Sequence, residues 1–295
     1  MNIYSQIDSN KRRTWMIILL FIALIAAVGY VLGEATGYGL SWFGLAAILA
    51  GASSFFSYYY SDKIVLAISN AQQISEQDNP RLFHTVENLC IGAGLPMPKI
   101  YLINDTAPNA FATGRDPRHA SIAITSGLLQ KLDKLELEGV IAHELSHIKN
   151  YDIRLMSIVV VLVGVVALVS DWFLRSLWYG RGGRREKREG GGLVFLLAML
   201  AAILAPIVAQ LLKFALGRRR EFLADASGAL LTRYPEGLAR ALEKIAADKE
   251  ALEVANSATA HLYIVNPLKD YSDKIANLFS THPPIGERVA TLRSM

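Results

Sequence analysis

The chain has 295 residues, 52% of them hydrophobic and 19% charged, with a formal net charge of +4. That length holds a core of ordinary size plus additional segments, and the apolar share is high for a domain that meets only water. Cys90 is the single cysteine, which excludes an intramolecular disulfide and a cysteine-based metal cluster. The basic residues flank apolar blocks and no nucleic-acid motif accompanies them, so no nucleic-acid partner is expected.

Lys11-Arg12-Arg13 follow a short polar start, and Trp15 to Leu32 is an almost unbroken apolar run. It exceeds the roughly 7–15 residues of a signal-peptide core and approaches the ~20 needed to span a hydrocarbon layer. A second apolar segment, Tyr38 to Tyr60, follows after Gly33 to Gly37. Residues 1–61 therefore read as a transmembrane hairpin, with Trp42 and Tyr58-Tyr59-Tyr60 as interfacial anchors. The basic start and Lys63 place both ends of the hairpin on the cytoplasmic side.

Residues 62–153 have the composition of a soluble domain. Asn79-Pro80 predicts a helix start, running through about Cys90 and stopping at Gly92 or Gly94. Lys99 to Ile103, Ala110 to Thr113 and His119 to Thr125 read as strands, the last two joined by Gly114-Arg115-Asp116-Pro117-Arg118. Periodicity favours a β-meander, in which His119 is a surface or turn histidine, and an exposed edge would suit an added peptide strand. Asp133 and Glu136 then form a capping box at the start of a helix that contains His143-Glu144-Leu145-Ser146-His147. On a helix the two histidines lie one turn apart on one face. Such a pair can grip a single Zn²⁺, with Glu144 beside it to take a proton from water.

Residues 154–216 form a second apolar pair, Leu155 to Val169 and Leu193 to Leu216, the latter interrupted by Pro206. A basic, glycine-rich linker at 179–192 joins them. If the pair spans the membrane, the linker's arginines and lysine fall on the side that the positive-inside rule disfavours, so a partly re-entrant hairpin is the alternative. Either arrangement crosses an even number of times and leaves His147 and Glu221 on one side. Residues 217–295 complete the domain with helices predicted over Glu221 to Leu231, Glu236 to Ala247 and Ile285 to Arg293. Glu221 and Asp225 share a helix face. The first is the best third metal ligand, and the second can fix the tautomer of a ligating imidazole. An ion pair between Glu221 and the preceding arginines fits the spacing equally well.

His143-Glu144-Leu145-Ser146-His147, Arg220-Glu221-Phe222-Leu223-Ala224-Asp225 and Thr281-His282-Pro283-Pro284-Ile285-Gly286-Glu287-Arg288 together resemble the HtpX family of membrane zinc metalloproteases, relatives of the CAAX prenyl proteases. The resemblance covers nearly the whole chain and implies an α+β membrane protein. Its parts would be a mainly helical zincin-like metalloprotease domain with a small β-sheet and up to four transmembrane helices. It implies one Zn²⁺ per chain held by His143, His147 and Glu221, with Glu144 as catalytic base and Asp225 behind the ligands. It further implies that a histidine or arginine of the terminal motif, with His282 the assigned catalytic residue, approaches the oxyanion, and that Asn109-Ala110-Phe111-Ala112 is a substrate-binding edge strand. Phe222 departs from the tyrosine often found there. The expected activity is a zinc metalloendopeptidase, multi-pass in the cell (inner or plasma) membrane, its active site facing the cytoplasm. Its partners would be the lipid bilayer and protein substrates, chiefly misfolded or damaged membrane proteins, and a homo-oligomer is compatible with it. A CAAX-type protease would need a larger membrane chamber. A non-catalytic adaptor or chaperone would have no need of Glu144.

Overall fold

A computed structural model describes residues 3–36, 40–162, 218–254, 259–265 and 283–295. Two long helices open it, α1 (Ile3–Thr36) and α2 (Leu40–Ile68), packed against each other. At 34 and 29 residues they reach about 51 and 43 Å at 1.5 Å per residue. Ile17, Ile18 and Phe21 of α1 and Val65 and Leu66 of α2 are buried in a shared apolar cluster. Trp15, Met16, Leu19, Leu20, Ile48, Leu49, Phe55 and Phe56 are exposed. Among the described residues no helix is long and apolar enough to cross a membrane. The two apolar segments expected within residues 1–61 are thus helical and packed on each other, but neither qualifies as a membrane span. The second apolar pair, from residue 163 onward, lies outside the described residues with its linker at 179–192.

α3 (Pro80–Ala93) begins where Asn79 Oδ1 accepts the Leu82 N–H at 3.0 Å and ends at Gly94, whose φ of 67° is left-handed. The sheet contains β1 (Gln72–Gln73), β2 (Lys99–Ile103), β3 (Ala110–Gly114) and β4 (Ala120–Thr125), in the order β1-β2-β4-β3. The strand positions agree with the sequence reading, but the meander does not. β4 lies between β2 and β3, parallel to β2 and antiparallel to β3. The loop after β2 crosses to the far side of β4 because Asp105 anchors it. The Asp105 carbonyl accepts from Gly127 N and Ser126 Oγ, and its carboxylate accepts from Ala107 N and Glu253 N. The β3–β4 turn needs Gly114, with φ 137°, because a Cβ there would sit 2.3 Å from the His119 carbonyl oxygen. His119 is half exposed on that turn and pairs with Asp116 at 2.8 Å, a surface histidine as expected.

Every residue of β3 and β4 is buried, because the sheet is covered on both faces. Ala110, Ala112, Ile122 and Ile124 face one cluster with Val140 and Ile141, while Phe111 and Ala123 face the other with α1 and α2. That is the period of two expected of strands. After α4 (Ser126–Lys131) comes α5 (Lys134–Lys149), opened by the predicted capping box, with Asp133 N donating to Glu136 Oε2 at 2.8 Å and Glu136 N donating to Asp133 Oδ1 at 2.9 Å. β3, α3, α6 (Arg218–Thr232) and α7 (Pro235–Ala247) surround α5, so it is buried on nearly all sides. The mixed spacing of its apolar residues follows from that enclosure. A turn at Asn150 and Tyr151, the latter at φ 60°, leads into helical residues 152–162. The final helix, α8 (Ile285–Arg293), packs on α6 and α7.

Candidate metal centre

α5 carries His143 and His147 on one face, and α6 runs beside it with Glu221 and Asp225. The close approach depends on Gly228, where a Cβ would stand 3.0 Å from the His143 backbone nitrogen. His143 Nε2 and His147 Nε2 are 3.1 Å apart, and Glu221 Oε2 and Oε1 lie 3.8 and 3.6 Å from them respectively. All three side chains are buried. A tetrahedral ion at about 2.0–2.2 Å from its ligands sets ligand–ligand edges of about 3.3–3.6 Å, close to these distances.

The partners of the other ring nitrogens test whether this set suits a cation. Asp225 Oδ1 lies 2.9 Å from His143 Nδ1, and Asp152 Oδ2 lies 3.1 Å from His147 Nδ1. A carboxylate oxygen approaches a ring nitrogen that closely only if the nitrogen carries a proton. Each ring therefore holds a proton on Nδ1, and in its neutral form leaves Nε2 as the ligating atom. Once His147 gives up its second proton, the two Nε2 lone pairs converge, beside a carboxylate, on a point that a cation can fill. The donor set fits a divalent metal such as zinc.

The electrostatics differ from residue to residue. Burial, opposed by Asp225, holds the His143 imidazole below its ordinary range. Burial also works against charge on His147, but the hydrogen bond to Asp152 and the nearby Glu221 carboxylate outweigh it and push its pKa up to about 9 without metal. Burial pushes the Glu144 carboxyl up to about 7, against the pull of His147. The Ala112 backbone of β3 lies close enough to that carboxyl to lower its pKa, so the edge strand passes beside Glu144. Asp225 would be raised by burial, but Arg288 holds it below the usual carboxylate range. Arg288, fully buried on α8, donates from Nε and Nη2 to the two Asp225 oxygens at 2.8 and 2.7 Å. Its Nη1 donates to the Ile264 carbonyl and stands 3.5 Å from Glu221 Oε2.

His143, Glu144, His147, Glu221 and Asp225 are thus brought together, whereas His282 lies outside the described residues. Asn109, Ala110, Phe111 and Ala112 lie at and along β3, the edge strand. Their side chains are packed inside: Asn109 Nδ2 donates to the Val265 carbonyl, and Phe111 meets the Tyr263 ring edge-on at 5.1 Å. The Ala110 carbonyl accepts from Ile264 N, so one end of that edge is already taken. Sequence reasoning passed over Asp152 and did not assign Arg288, although Arg288 closes a motif that stood out. The signal for Asp152 was weak, an aspartate just past the helix end, because nothing in the sequence says that the chain turns back there.

A helix bearing His-Glu-x-x-His, with a glutamate from a later helix within reach of both histidines, is the donor pattern of a metallopeptidase. A model of Peptidase family M48 matches residues 76–295. The chain is 48% identical to a Protease HtpX homolog of Dictyoglomus thermophilum over 99% of its own length and 94% of the relative's. It is 47% identical to a Protease HtpX homolog of Tropheryma whipplei, over 99% and 98% of the two chains. The fold is similar to the crystal structure of S. mikatae Ste24p, with a TM-score of 0.52 and 19% identity, covering 95% of this chain and 66% of that one. The chain belongs to Peptidase family M48 and is a metalloprotease.

Proposed function

We propose that this metalloprotease is a zinc endopeptidase, anchored in the cell membrane by α1 and α2, that cleaves misfolded or damaged membrane proteins at the cytoplasmic face. The observation that carries the chemistry is the convergence of His143 Nε2, His147 Nε2 and Glu221, with both Nδ1 positions held by carboxylates. When bound, zinc supplies the Lewis acid that polarises the scissile carbonyl and brings the acidity of water to about pKa 7. Glu144 takes the proton of the attacking water and returns it to the leaving amine. Burial pushes its carboxyl up to about 7 in the metal-free protein, and this opposition to charge favours the uptake of a proton that the role requires. Asp225 and Asp152 keep the two rings oriented throughout. His282 is the proposed donor to the oxyanion. The backbone of residues 109–112 is the proposed docking edge for substrate, supported by the place of β3 at the edge of the sheet with Ala112 beside Glu144.

The anchor is supported by the exposed apolar faces of α1 and α2 and by a band of cations and aromatic rings where they meet the protease domain. Arg154 lies over Tyr58 and Tyr151 at 5.5 and 4.9 Å, Lys11 over Tyr151 at 4.7 Å, and Arg115 over Tyr59 at 5.2 Å. Such a band suits the headgroup layer, and the basic residues at the start of α1 favour the cytoplasmic side. The test compares the parent with Glu144→Gln in liposomes carrying an unfolded membrane-protein substrate. Cleavage by the parent alone, from the side that carries the protease domain, is the expected result. Equal cleavage by both proteins would remove Glu144 from its role.

A further inference from the structure

Asn10 is a polar residue on α1, 1% exposed and 142 positions before its partner Asp152. Its Nδ2 donates to Asp152 Oδ1 at 2.7 Å and to the Asn150 carbonyl at 2.9 Å. A carbonyl and an ionised carboxylate only accept, so the amide can meet both only by turning its NH₂ towards them. The other Asp152 oxygen, Oδ2, takes the His147 Nδ1 proton at 3.1 Å. The two oxygens of Asp152 are thereby divided between the first helix and a metal ligand. Asn150 ends α5, its N–H bonding back to the Ser146 carbonyl at 3.0 Å, and Tyr151 follows at φ 60°. Asn10 therefore grips both the turn that carries Asp152 and the carboxylate itself. Thr14 Oγ1 donates to the Asn10 carbonyl at 2.9 Å one turn along α1.

A buried amide is costly unless it is bonded, and leucine would fill the same volume without that cost. Further along α1, the residues buried against the domain, Ile17, Ile18 and Phe21, are apolar. We propose that Asn10 is a positioning residue of the metal centre: it holds Asp152 in the orientation that aims His147 Nε2 at the ion. The inference rests on the reading of His143, His147 and Glu221 as the metal ligands. It makes the metal site dependent on the docking of α1, so the membrane anchor and the chemistry are coupled through one hydrogen-bonded chain, Asn10–Asp152–His147. The groups facing Asp152 are Asn10 from α1, His147 from α5 and Arg220 from α6, whose Nη1 is 3.7 Å away.

The experiment uses the full chain in detergent and measures Zn²⁺ affinity by chelator competition, together with the visible spectrum of the Co²⁺-substituted protein. Removing a partner behind a metal-bound histidine lowers affinity by about 10- to 100-fold. One bond further out, Asn10→Leu is expected at the lower end, about tenfold, with an altered Co²⁺ band. Phe21→Ala is the control. It loosens the packing of α1 without touching Asp152, and is expected to lower Tm but keep the parent's affinity and spectrum. Where Asn10→Leu does not fold, Asn10→Ala is read in the same way. Parent-like affinity and spectrum in the Asn10 variant would overturn the proposal. So would an equal loss in Phe21→Ala, because helix docking alone would then explain it. A parent chain that binds no Zn²⁺ would instead overturn the metal centre itself and, with it, this role of Asn10.

Discussion

The two histidines of α5 sit one turn apart, both buried and both backed by an aspartate, yet their surroundings drive them in opposite directions. Behind His143, Asp225 is clamped by the two-pronged Arg288 guanidinium, so much of its charge is already answered. Burial then prevails and the imidazole is held neutral. Behind His147, Asp152 is held by the neutral amide of Asn10. The Arg220 guanidinium stands further off, 3.7 Å from Asp152, and against burial the bond to Asp152 together with the nearby Glu221 carboxylate raises the ring's pKa to about 9 in the metal-free protein. The same residue pair thus gives a neutral imidazole on one side and a proton-holding imidazole on the other, one aspartate being gripped by a two-pronged arginine and the other by an asparagine with an arginine at longer range. A metal bound there would have to displace a proton on one side only.

The largest effect should come from removing that shared point altogether. His143→Ala, His147→Ala and Glu221→Ala are each expected to abolish stoichiometric zinc and peptidase activity, measured by metal analysis and cleavage of an unfolded substrate. Glu144→Gln should retain zinc and lose activity by about 10²- to 10⁴-fold, the usual contribution of a general base. Next come the two helpers, which should separate. Arg288→Leu strands the buried Asp225 charge and is expected to cost about 3–5 kcal/mol in thermal or denaturant unfolding. Asp152→Asn should instead weaken zinc by about 10- to 100-fold with a smaller loss of stability.

The pH dependence follows the same division. In the metal-free protein His147 has a folded pKa above its unfolded value of 6.5. Its contribution to stability is fully present below 6.5 and fades as the pH rises through about 9. His143 has a folded pKa below 6.5, so its contribution has the opposite sign and is lost as the pH falls below that value. Zinc affinity is expected to rise about tenfold per pH unit towards pH 9 as the His147 proton is removed, with close to one proton released per ion in calorimetry near neutral pH. The smallest effect is expected from Arg293→Ala, whose pairs with Glu236 and Glu243 lie on the surface. It should leave zinc affinity and Tm unchanged.

Much of this was legible in the sequence because it is encoded locally. The capping box at Asp133, the Asn79-Pro80 helix start, the Gly94 stop and the one-turn spacing of His143 and His147 are short-range patterns, and each appears where the pattern places it. Glu221, the proposed third ligand, was picked out by its helix face together with the resemblance to a known family, and it lies within reach of both histidines. What stayed hidden depends on contacts between distant segments. The insertion of β4 between β2 and β3 depends on the Asp105 loop being pinned to residues near 126 and 253, which no alternation of apolar residues reveals. Asp152 joins the site because Tyr151 adopts a positive φ and turns the chain back, a conformation that a tyrosine does not advertise. Asn10 and Arg288 reach the centre from opposite ends of the chain.

The most direct test of the central claim is the zinc content and zinc-edge X-ray absorption of the purified full chain, measured beside Glu221→Gln. The account predicts one zinc per chain in the parent, with two imidazole nitrogens and oxygen ligands at about 2.0–2.2 Å, and a weakened, altered shell in the variant. A parent without zinc after reconstitution, a shell lacking imidazole, or a Glu221→Gln spectrum identical to the parent's would contradict it.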